Sequence, residues 1–316
     1  MKVKSQPEIV NYNSTAIHQH INSILSLSSI DLNKIKNKKY KIVVDAINSS
    51  TSKIMPMLLK QFSCEVVELN CESNGNFTRG AEPLPHNLSK LSNTVVETKS
   101  DLGIAIDPDG DRLAIIDEKG NPLGEESTLV ICTDGLLLNK KINTPIVTNL
   151  STSMAIDDLA KQYNIDIVRS NVGEINVVNE MKNVKAIIGG EGNGGVILAE
   201  SHYGRDSLVA AALLLNRLSM SNIPMSELYN SIPHYEIIKD SIQTDKPINS
   251  KFINLITDIL KPDEINQMDG VKLISADKWI HIRKSNTETI VRFYSEANNI
   301  KKSTELINLS KELFNN

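Results

Sequence analysis

A short acidic segment, Asp107 to Arg112, carries three aspartates at alternate positions, Asp107, Asp109 and Asp111. Carboxylates this close together repel one another unless a cation neutralises them, and octahedral Mg²⁺, which prefers oxygen ligands, is the natural candidate. Three protein ligands leave coordination positions open for a phosphate oxygen. Arg112 follows at once and is placed to hold that phosphate through a bidentate contact. The spacing therefore predicts a magnesium site beside a phosphate.

Two other interpretations of the acidic segment compete with a magnesium site. An EF-hand loop needs aspartates at alternate positions and a glutamate at its end, which this segment and Glu118 satisfy. It also needs a glycine at the position of Arg112 and a following helix, whereas the run RLAIID is strand-like. A solvated acidic turn is the second alternative, because Pro-Asp and Asp-Gly are common turn pairs. We favour the metal site and leave the acidic turn open.

A glycine-rich segment, Gly190 to Gly195, matches the GxGxxG pattern of dinucleotide-binding proteins. In those proteins the pattern opens a helix whose N-terminus faces the pyrophosphate. Here it leads into the strand-like run VIL, so we reject a nicotinamide or flavin site. Glu191 and Asn193 are suited instead to vicinal hydroxyls of a polyhydroxylated ligand, while the glycines allow close approach. A β-hairpin turn that binds nothing stays as the alternative.

A histidine and an arginine lie close together downstream, in the segment HYGRD that contains His202 and Arg205. The apolar run that follows predicts a helix from Arg205 to Leu218. Cationic side chains at the start of a helix, beside the positive end of its dipole, suit an anion. We therefore take both residues as catalytic candidates, although a single histidine is more often structural.

A C-terminal polar loop combines guanidinium, hydroxyl and amide groups in about ten residues. It contains Arg283, Ser285, Asn286 and Thr287, and Arg292 follows it. These groups, together with backbone N–H donors, predict a phosphate cradle. An ordinary Ser/Thr turn is the alternative.

Arginine is scarce in this chain, with seven among the 34 Lys and Arg residues. Lysine serves where a plain surface charge suffices, whereas arginine supplies a planar, bidentate donor. Four of the seven fall in the segments just described: Arg112, Arg205, Arg283 and Arg292. The composition therefore favours anion-binding roles for these four.

Strand-like and helix-like segments alternate twice along the first two thirds of the sequence. The alternation predicts two α/β domains with mixed sheets, residues 1–121 with the acidic segment and 122–233 with the glycine-rich segment. Ser151 or Thr152 is expected to cap the helix that runs to residue 163. Shorter strand-like runs near the C-terminus predict a small α+β domain, residues 234–316, which carries the C-terminal polar loop.

The composition is that of an ordinary globular chain. Of its 316 residues, 40% are hydrophobic and 23% are charged, with a formal net charge of −4. This mildly acidic balance argues against nucleic acid and against an anionic membrane as partners. The longest uncharged apolar run is too short to span a bilayer, and no signal peptide is visible. The three cysteines suit a reducing compartment, so we expect a cytoplasmic protein.

The three segments, in this order, resemble the motifs of the α-D-phosphohexomutase superfamily. They read DPDGDR, GGEGNGG with HYGRD, and RKSNTE with a downstream arginine, most similar to the phosphoglucosamine mutase and phosphomannomutase/phosphoglucomutase branch. The resemblance implies Mg²⁺ on the three aspartates, Arg112 at the transferred phosphoryl group, and a hexose or hexosamine phosphate as substrate. It implies sugar contacts from Glu191, Asn193 and Gly173. The family's site for the other phosphate corresponds to Arg283, Ser285, Asn286, Thr287 and Arg292.

One expected part of that family is missing from the sequence. Its members transfer a phosphoryl group from a phosphoserine to the sugar and take the other one back, which interconverts a 1-phosphate and a 6-phosphate. The phosphoserine belongs to a TASHNP-like loop of a first domain, and no segment here matches that loop. We therefore expect a truncated chain or a first domain on a separate chain. Thr289 also replaces the proline that usually follows the glutamate of the C-terminal polar loop.

Two alternatives to a mutase stay open at this point. A non-catalytic sugar-phosphate-binding protein keeps the pocket without the phosphoserine, which is the nucleophile of the relay. A Mg²⁺-dependent sugar phosphatase keeps the metal and uses water as the nucleophile.

Overall fold

The computed structural model of the chain describes residues 14–285 and 288–315. The α-helices in these residues are α1 (Ser14–Leu25), α2 (Leu32–Lys38), α3 (Ile54–Gln61), α4 (Ser89–Thr98), α5 (Glu126–Leu138), α6 (Ala155–Gln162), α7 (Glu174–Val184), α8 (Ser207–Ser219), α9 (Met225–Asn230), α10 (Ser250–Leu260) and α11 (Ile300–Asn315). The strands are β1 (Lys41–Asp45), β2 (Glu65–Leu69), β3 (Leu102–Ile106), β4 (Leu113–Ile116), β5 (Ile146–Asn149), β6 (Ile167–Ser170), β7 (Ile188–Glu191), β8 (Gly195–Leu198), β9 (Glu236–Gln243), β10 (Glu264–Asn266), β11 (Val271–Ser275), β12 (Lys278–Lys284) and β13 (Ile290–Ala297). Within these residues, no helix has both the length and the apolar character needed to cross a membrane.

The first sheet has the strand order β2-β1-β3-β4. β1 pairs in parallel with β2 and β3, and β4 returns antiparallel to β3. All residues of β3 and β4 are buried, as expected of apolar strands covered on both faces. The acidic segment is the reversal between β3 and β4, so its carboxylates lie at the carboxyl end of β3. In open α/β sheets this end of the strands is where ligands bind.

The second sheet repeats the topology of the first. Its order is β6-β5-β7-β8, with parallel pairs around β5 and an antiparallel return from β7 to β8. The glycine-rich segment is the reversal between β7 and β8, so it is the topological equivalent of the acidic segment. The two reversals touch, because the N–H of Leu113 donates to the carbonyl oxygen of Gly194 at 3.0 Å.

Two helices, α5 and α8, join the first two sheets into one hydrophobic core. All thirteen residues of α8 are buried, and so are residues 127–137 of α5. A helix that is apolar around its whole circumference must pack on all sides. α8 does so, since it packs against α5, against β4 of the first sheet and against β8 of the second. The relative position of the two sheets, and of their loops, therefore depends on these two helices.

The third sheet is antiparallel throughout, with the order β10-β11-β12-β13-β9, and has its own core with α10 and α11. Its contact with the second sheet includes buried polar groups. Lys272 Nζ donates to the carbonyl oxygen of Leu150 at 2.6 Å and lies 4.1 Å from the ring centre of Trp279. The Oγ of Ser151 lies 2.8 Å from Nδ1 of His281. The predicted class, mixed α/β sheets followed by an α+β C-terminal part, is confirmed.

The predicted cap of α6 is wrong. The helix begins at Ala155, whose N–H donates to Oγ of Ser153 at 3.0 Å. Ser151 contacts His281 of the third sheet, and Thr152 donates to Asn149 at 3.1 Å. The hydroxyl of Ser151 is thus used in a tertiary contact, and that of Thr152 also accepts the N–H of Gly192 at 3.0 Å. A local sequence pattern does not reveal such contacts. Three short elements, α2, α9 and β10, were also missed.

His281 makes the stability of the chain depend on pH. Burial lowers the pKa of its imidazole to about 4, and Nε2 donates to the carbonyl oxygen of Asp269 at 2.6 Å. In the unfolded chain the imidazole of His281 binds a proton near pH 6.5. Between about pH 6.5 and 4, unfolding is therefore accompanied by the uptake of one proton at this residue. Stability is therefore lost as the pH falls through this window. The loss from His281 alone amounts to about 2 kcal/mol between about pH 7 and 5.

We expect the urea midpoint of the wild-type chain to fall from about pH 7 to about pH 5 by more than that of His281→Gln. The fluorescence of Trp279, the single tryptophan, reports on the same sheet. His86→Gln, at an exposed histidine, serves as the control. Its urea midpoint should fall by as much as that of the wild-type chain. Equal falls in the wild-type chain and in His281→Gln would contradict the assignment.

Candidate functional site

A cavity of about 550 Å³ lies where the loops of the three sheets meet. Seven of the residues singled out from the sequence line it: Arg112, Gly173, Glu191, Asn193, Arg283, Ser285 and Arg292. Asn286 and Thr287 lie outside the described residues. Of the described candidates, the three aspartates, His202 and Arg205 are not part of the cavity wall.

The backbone of the acidic segment is folded around Asp107. Its Oδ1 accepts the N–H groups of Asp111 and Arg112, both at 3.0 Å, and Gly110 makes the turn with φ of +83°. One carboxylate oxygen each from Asp107, Asp109 and Asp111 then lies within 4.8 Å of the other two. The segment thus brings three hard oxygen ligands together, as a site for one cation requires.

The charge balance of these carboxylates fits a cation. Burial, together with the neighbouring Asp111, raises the pKa of Asp107 to about 7. Oδ1 of Asp111 is buried and has no hydrogen-bond partner in the described part of the chain. A buried acceptor without a partner is unfavourable, and a metal ion is one group that satisfies it. The donor set suits Mg²⁺, which is commonly held by a few carboxylates while other positions stay open.

A serine-rich run after β1 supports the acidic segment and was missed in the sequence. The hydroxyls of Ser49 and Ser50 donate to the carbonyl oxygen of Pro108 at 2.6 and 2.8 Å. The chain reaches this position through two residues with positive φ, Ile47 at 48° and Asn48 at 56°. This is an unusual conformation for a β-branched residue. A polar run at the carboxyl end of a strand next to β3 was the available signal.

Arg205 connects the acidic and glycine-rich segments. Its guanidinium pairs with the carboxylate of Asp111 and, through Nη1 at 2.7 Å, with Oε2 of Glu191. Its Nε lies 3.5 Å from Oε2 of Glu174. A Cβ on Gly195 would lie 2.2 Å from Cδ of Arg205, so a glycine is needed where the arginine passes. The arginine therefore contacts carboxylates of the protein itself.

Glu191 is the most constrained polar group of the cavity wall. Its side chain is almost fully buried, and its Oε1 accepts from Nδ2 of Asn149 at 2.7 Å and from the N–H of Gly173 at 3.1 Å. Asn193 is oriented by the N–H of Gly195, which donates to its Oδ1 at 3.1 Å. Asn149 was missed, although it ends β5 at the same edge of the second sheet.

Lys239 is a second cavity residue that was missed. It extends from β9, and its Nζ donates to Oε1 of Glu125 at 2.6 Å and to the carbonyl oxygen of Gly192 at 2.9 Å. Its Nζ also lies 3.0 Å from Glu126. A Cβ on Gly192 would lie 1.8 Å from the Glu126 carboxylate, so the glycine is required for this packing. Lys239 thus joins the third sheet to the glycine-rich segment.

Arg283 and Arg292 are direct partners across β12 and β13. Side chains directly opposite in an antiparallel pair share one face, and like charges there repel. Both arginines have an acidic partner: Nε of Arg283 donates to Asp269 at 3.0 Å, and Nη2 of Arg292 to Glu288 at 2.6 Å. Both line the cavity, so the sheet presents two adjacent cations to it. An anion is the ligand that this arrangement favours.

His202 is not among the described residues that line the cavity. Its Nε2 is 3.0 Å from Oδ2 of Asp206, the residue that caps α8. The predicted pairing of His202 with Arg205 in front of an anion has no contact that supports it in the described residues. The histidine instead belongs to a separate cluster with His20.

We expect Arg205→Met to lower the free energy of unfolding by about 3 kcal/mol in the absence of added metal. The substitution leaves two largely buried carboxylates, Asp111 and Glu191, without their cation. Urea unfolding followed by circular dichroism measures the change. The free energy of unfolding of the double variant Arg205→Met/Glu191→Gln should fall by less than the sum of the falls in the two single variants, because the residues are in contact. A single variant within about 0.5 kcal/mol of wild type would contradict the role given to Arg205.

Comparison with known proteins identifies the family. Residues 18–120 match the model of phosphoglucomutase/phosphomannomutase α/β/α domain II, and residues 124–235 match that of domain III. The chain is 31% identical to a probable phosphoglucosamine mutase of Methanopyrus kandleri, over 95% of this chain and 65% of that protein. It is 33% identical to a phosphoglucomutase/phosphomannomutase of Thermococcus kodakarensis, over 90% of this chain and 62% of that protein.

Solved structures with this fold include a putative phosphomannomutase of Thermus thermophilus. It superimposes with a TM-score of 0.80 at 20% identity, over 95% of this chain and 66% of that one. The chain spans slightly less than two thirds of the length of the relatives it matches. The two family models match in order over residues 18–120 and 124–235, and these ranges contain the acidic segment and the glycine-rich segment. The chain belongs to the phosphoglucomutase/phosphomannomutase family.

Proposed function

We propose that this chain carries the metal, sugar and distal-phosphate sites of a phosphohexomutase, an intramolecular phosphotransferase. The reaction interconverts a hexose or hexosamine 6-phosphate and the 1-phosphate through a phosphoserine and a bisphosphate. The observation that carries the proposal is the cavity of about 550 Å³ at which Arg112, Glu191 and Arg283 converge from three different sheets and their loops. The names of the relatives, phosphoglucosamine mutase and phosphoglucomutase/phosphomannomutase, support the same class of reaction.

Arg283 and Arg292 hold the phosphate that is not transferred. The two residues are opposite each other on one face of the third sheet and both line the cavity, and two planar donors suit a phosphate better than two point charges would. Ser285 lines the same part of the cavity, and Asn286 and Thr287 complete the loop in this proposal. Holding this phosphate at a fixed position orients the rest of the sugar toward the acidic segment.

Glu191, Asn193 and the loop at Gly173 bind the sugar hydroxyls. Glu191 accepts hydrogen bonds from Asn149, Gly173 and Arg205, and Nδ2 of Asn193 makes a longer contact with its Oε2 at 3.5 Å. In this proposal a sugar hydroxyl takes the place of that long contact, since an ionised carboxylate has about four acceptor positions. Because its protein partners fix its orientation, the carboxylate needs little rearrangement when the sugar binds.

Arg112 neutralises the phosphoryl group in transfer. It lines the cavity and pairs at 2.9 Å with Glu82, an exposed carboxylate that a phosphate can replace. Mg²⁺ is the cofactor proposed for Asp107, Asp109 and Asp111, where it supplies charge neutralisation at the phosphoryl oxygens. Arg205 is a positioning residue, because it acts through Asp111 and Glu191.

The domain boundaries of the proposal are residues 1–121, 122–233 and 234–316. Each range contains one of the three sheets, and each supplies one of the three segments around the cavity. The serine that carries the phosphoryl group comes from outside these segments, because no loop here resembles TASHNP. We propose that a further domain, on the same polypeptide or on a separate one, supplies it.

We expect the purified 316-residue chain to bind a hexose 6-phosphate in the presence of Mg²⁺ without isomerising it. The cavity supplies ligands for the phosphate, whereas the relay lacks its nucleophile. Calorimetry measures binding, and ³¹P NMR with a hexose bisphosphate primer measures isomer formation. Robust turnover by the chain alone would contradict the proposed source of the serine. Phosphate release without an isomer would favour a phosphatase instead.

We expect Arg283→Ala to raise the Kd for a hexose 6-phosphate by about tenfold to a hundredfold, since a hydrogen bond to a charged group is lost. Arg283→Lys should give an intermediate Kd, because the charge stays and the planar donor is lost. Lys284→Ala is the matched control. Its side chain alternates to the other face of β12, where Nζ donates to the carbonyl oxygen of Asp245. If Lys284→Ala weakens binding as much as Arg283→Ala, the proposed phosphate site is wrong.

A further inference from the structure

Two histidines and one aspartate meet next to the segment that carries Arg205. His20 belongs to α1, whereas His202 and Asp206 belong to the segment before α8. Nε2 of His20 lies 2.7 Å from Oδ2 of Asp206, and Nε2 of His202 lies 3.0 Å from the same oxygen. The three ligand atoms all lie within 4.8 Å of one another. None of the three residues lines the cavity described above.

We propose that His20, His202 and Asp206 form a zinc site, distinct from the magnesium site of the acidic segment. Two imidazoles and one carboxylate are a common ligand set of Zn²⁺, and the fourth tetrahedral position is taken by water. The acidic segment offers carboxylates only, which suit Mg²⁺. The chain therefore separates a hard cation from a borderline one by ligand type.

The geometry of the cluster is compatible with a bound ion. Zinc bonds of about 2.0–2.1 Å place tetrahedral ligand atoms about 3.3 Å apart. Binding therefore requires the imidazoles to move back by about half an ångström from Asp206. The side chains of His20 and His202 are 31% and 44% exposed, so they have room to move and the ion has access from solvent.

The carboxylate of Asp206 is already oriented for this role. Its Oδ1 caps α8 by accepting the N–H groups of Leu208 at 2.7 Å and Val209 at 3.3 Å. This leaves Oδ2 directed at the imidazoles. Outer hydrogen bonds that fix a ligand in this way strengthen metal sites. The positive end of the α8 dipole acts in the opposite sense, but it weakens cation binding by only about twofold to fivefold.

The site connects α1 to the segment that positions Arg205. A second contact between the same parts of the chain already exists, because Glu200 accepts from the N–H of Ser28 at 2.5 Å and from the hydroxyl of Ser29. Zinc adds a stronger link beside it. The expected effect is stabilisation of the loop before α8, because the ligands lie outside the cavity wall.

The experiment is a titration of the 316-residue chain with Zn²⁺ by calorimetry, in saturating Mg²⁺ so that the acidic segment is occupied. We expect one equivalent of Zn²⁺ to bind to the wild-type chain. His20→Ala and His202→Ala should each lower the affinity more than tenfold, since even outer-shell partners contribute about tenfold to a hundredfold. His18→Ala, at an exposed histidine on the same helix, is the matched control and binds like wild type.

Asp109→Asn separates the two metal sites, because it should leave the zinc titration unchanged. Loss of zinc binding in this variant, or wild-type affinity in both histidine variants, would overturn the proposal. Thermal unfolding provides a second measurement: Zn²⁺ should raise the Tm of the wild-type chain and of His18→Ala, but not of His202→Ala. If His20→Ala does not fold, the zinc affinity of His202→Ala tests the proposal on its own. The side chain of His202 is the more exposed of the two, so its removal is expected to disturb the fold less.

Discussion

The guanidinium of Arg205 lies between the carboxylates of Asp111 and Glu191, and the arrangement of the cavity depends on it. The two carboxylates come from different sheets and would otherwise repel each other across a poorly solvated space. One cation thus allows the acidic and glycine-rich segments to approach. Its backbone is fixed as well, because the N–H of Arg205 donates to Glu174 at 2.8 Å. The side chain that joins the two segments is therefore anchored at both ends.

The repeated topology explains why these two segments meet. The reversals β3–β4 and β7–β8 occupy equivalent positions in sheets of the same strand order. The buried helices α5 and α8 hold the sheets with these reversals in contact, and the hydrogen bond from Leu113 to Gly194 marks the point of contact. The acidic segment and the glycine-rich segment thus occupy the same structural position in two copies of the topology, with different side chains. The third sheet approaches from outside and closes the cavity with Lys239 and the two arginines.

The fold class and the three segments around the cavity follow from local sequence order. Apolar runs predict β1 and β3, and DPDGDR after β3 predicts a turn with three carboxylates. Contacts that depend on strand register or on packing between sheets cannot be predicted from local sequence order. The opposition of Arg283 and Arg292 needs the register of β12 and β13, and the cap of α6 failed because Ser151 is bound to the third sheet. The roles of the individual cavity residues stay predictions.

The opposition of Arg283 and Arg292 has a thermodynamic consequence. Arg283 and Arg292 are opposite each other across β12 and β13, with Asp269 and Glu288 as their carboxylate partners, and like charges directly opposite lower the stability of a strand pair. An anion bound between them removes this repulsion, so ligand affinity and hairpin stability are linked and the coupling is reciprocal. The free energy by which a bound anion stabilises the hairpin therefore equals the free energy of binding that is lost when the hairpin is disrupted. If the proposed phosphate binds between these arginines, the stability of the third sheet depends on its presence.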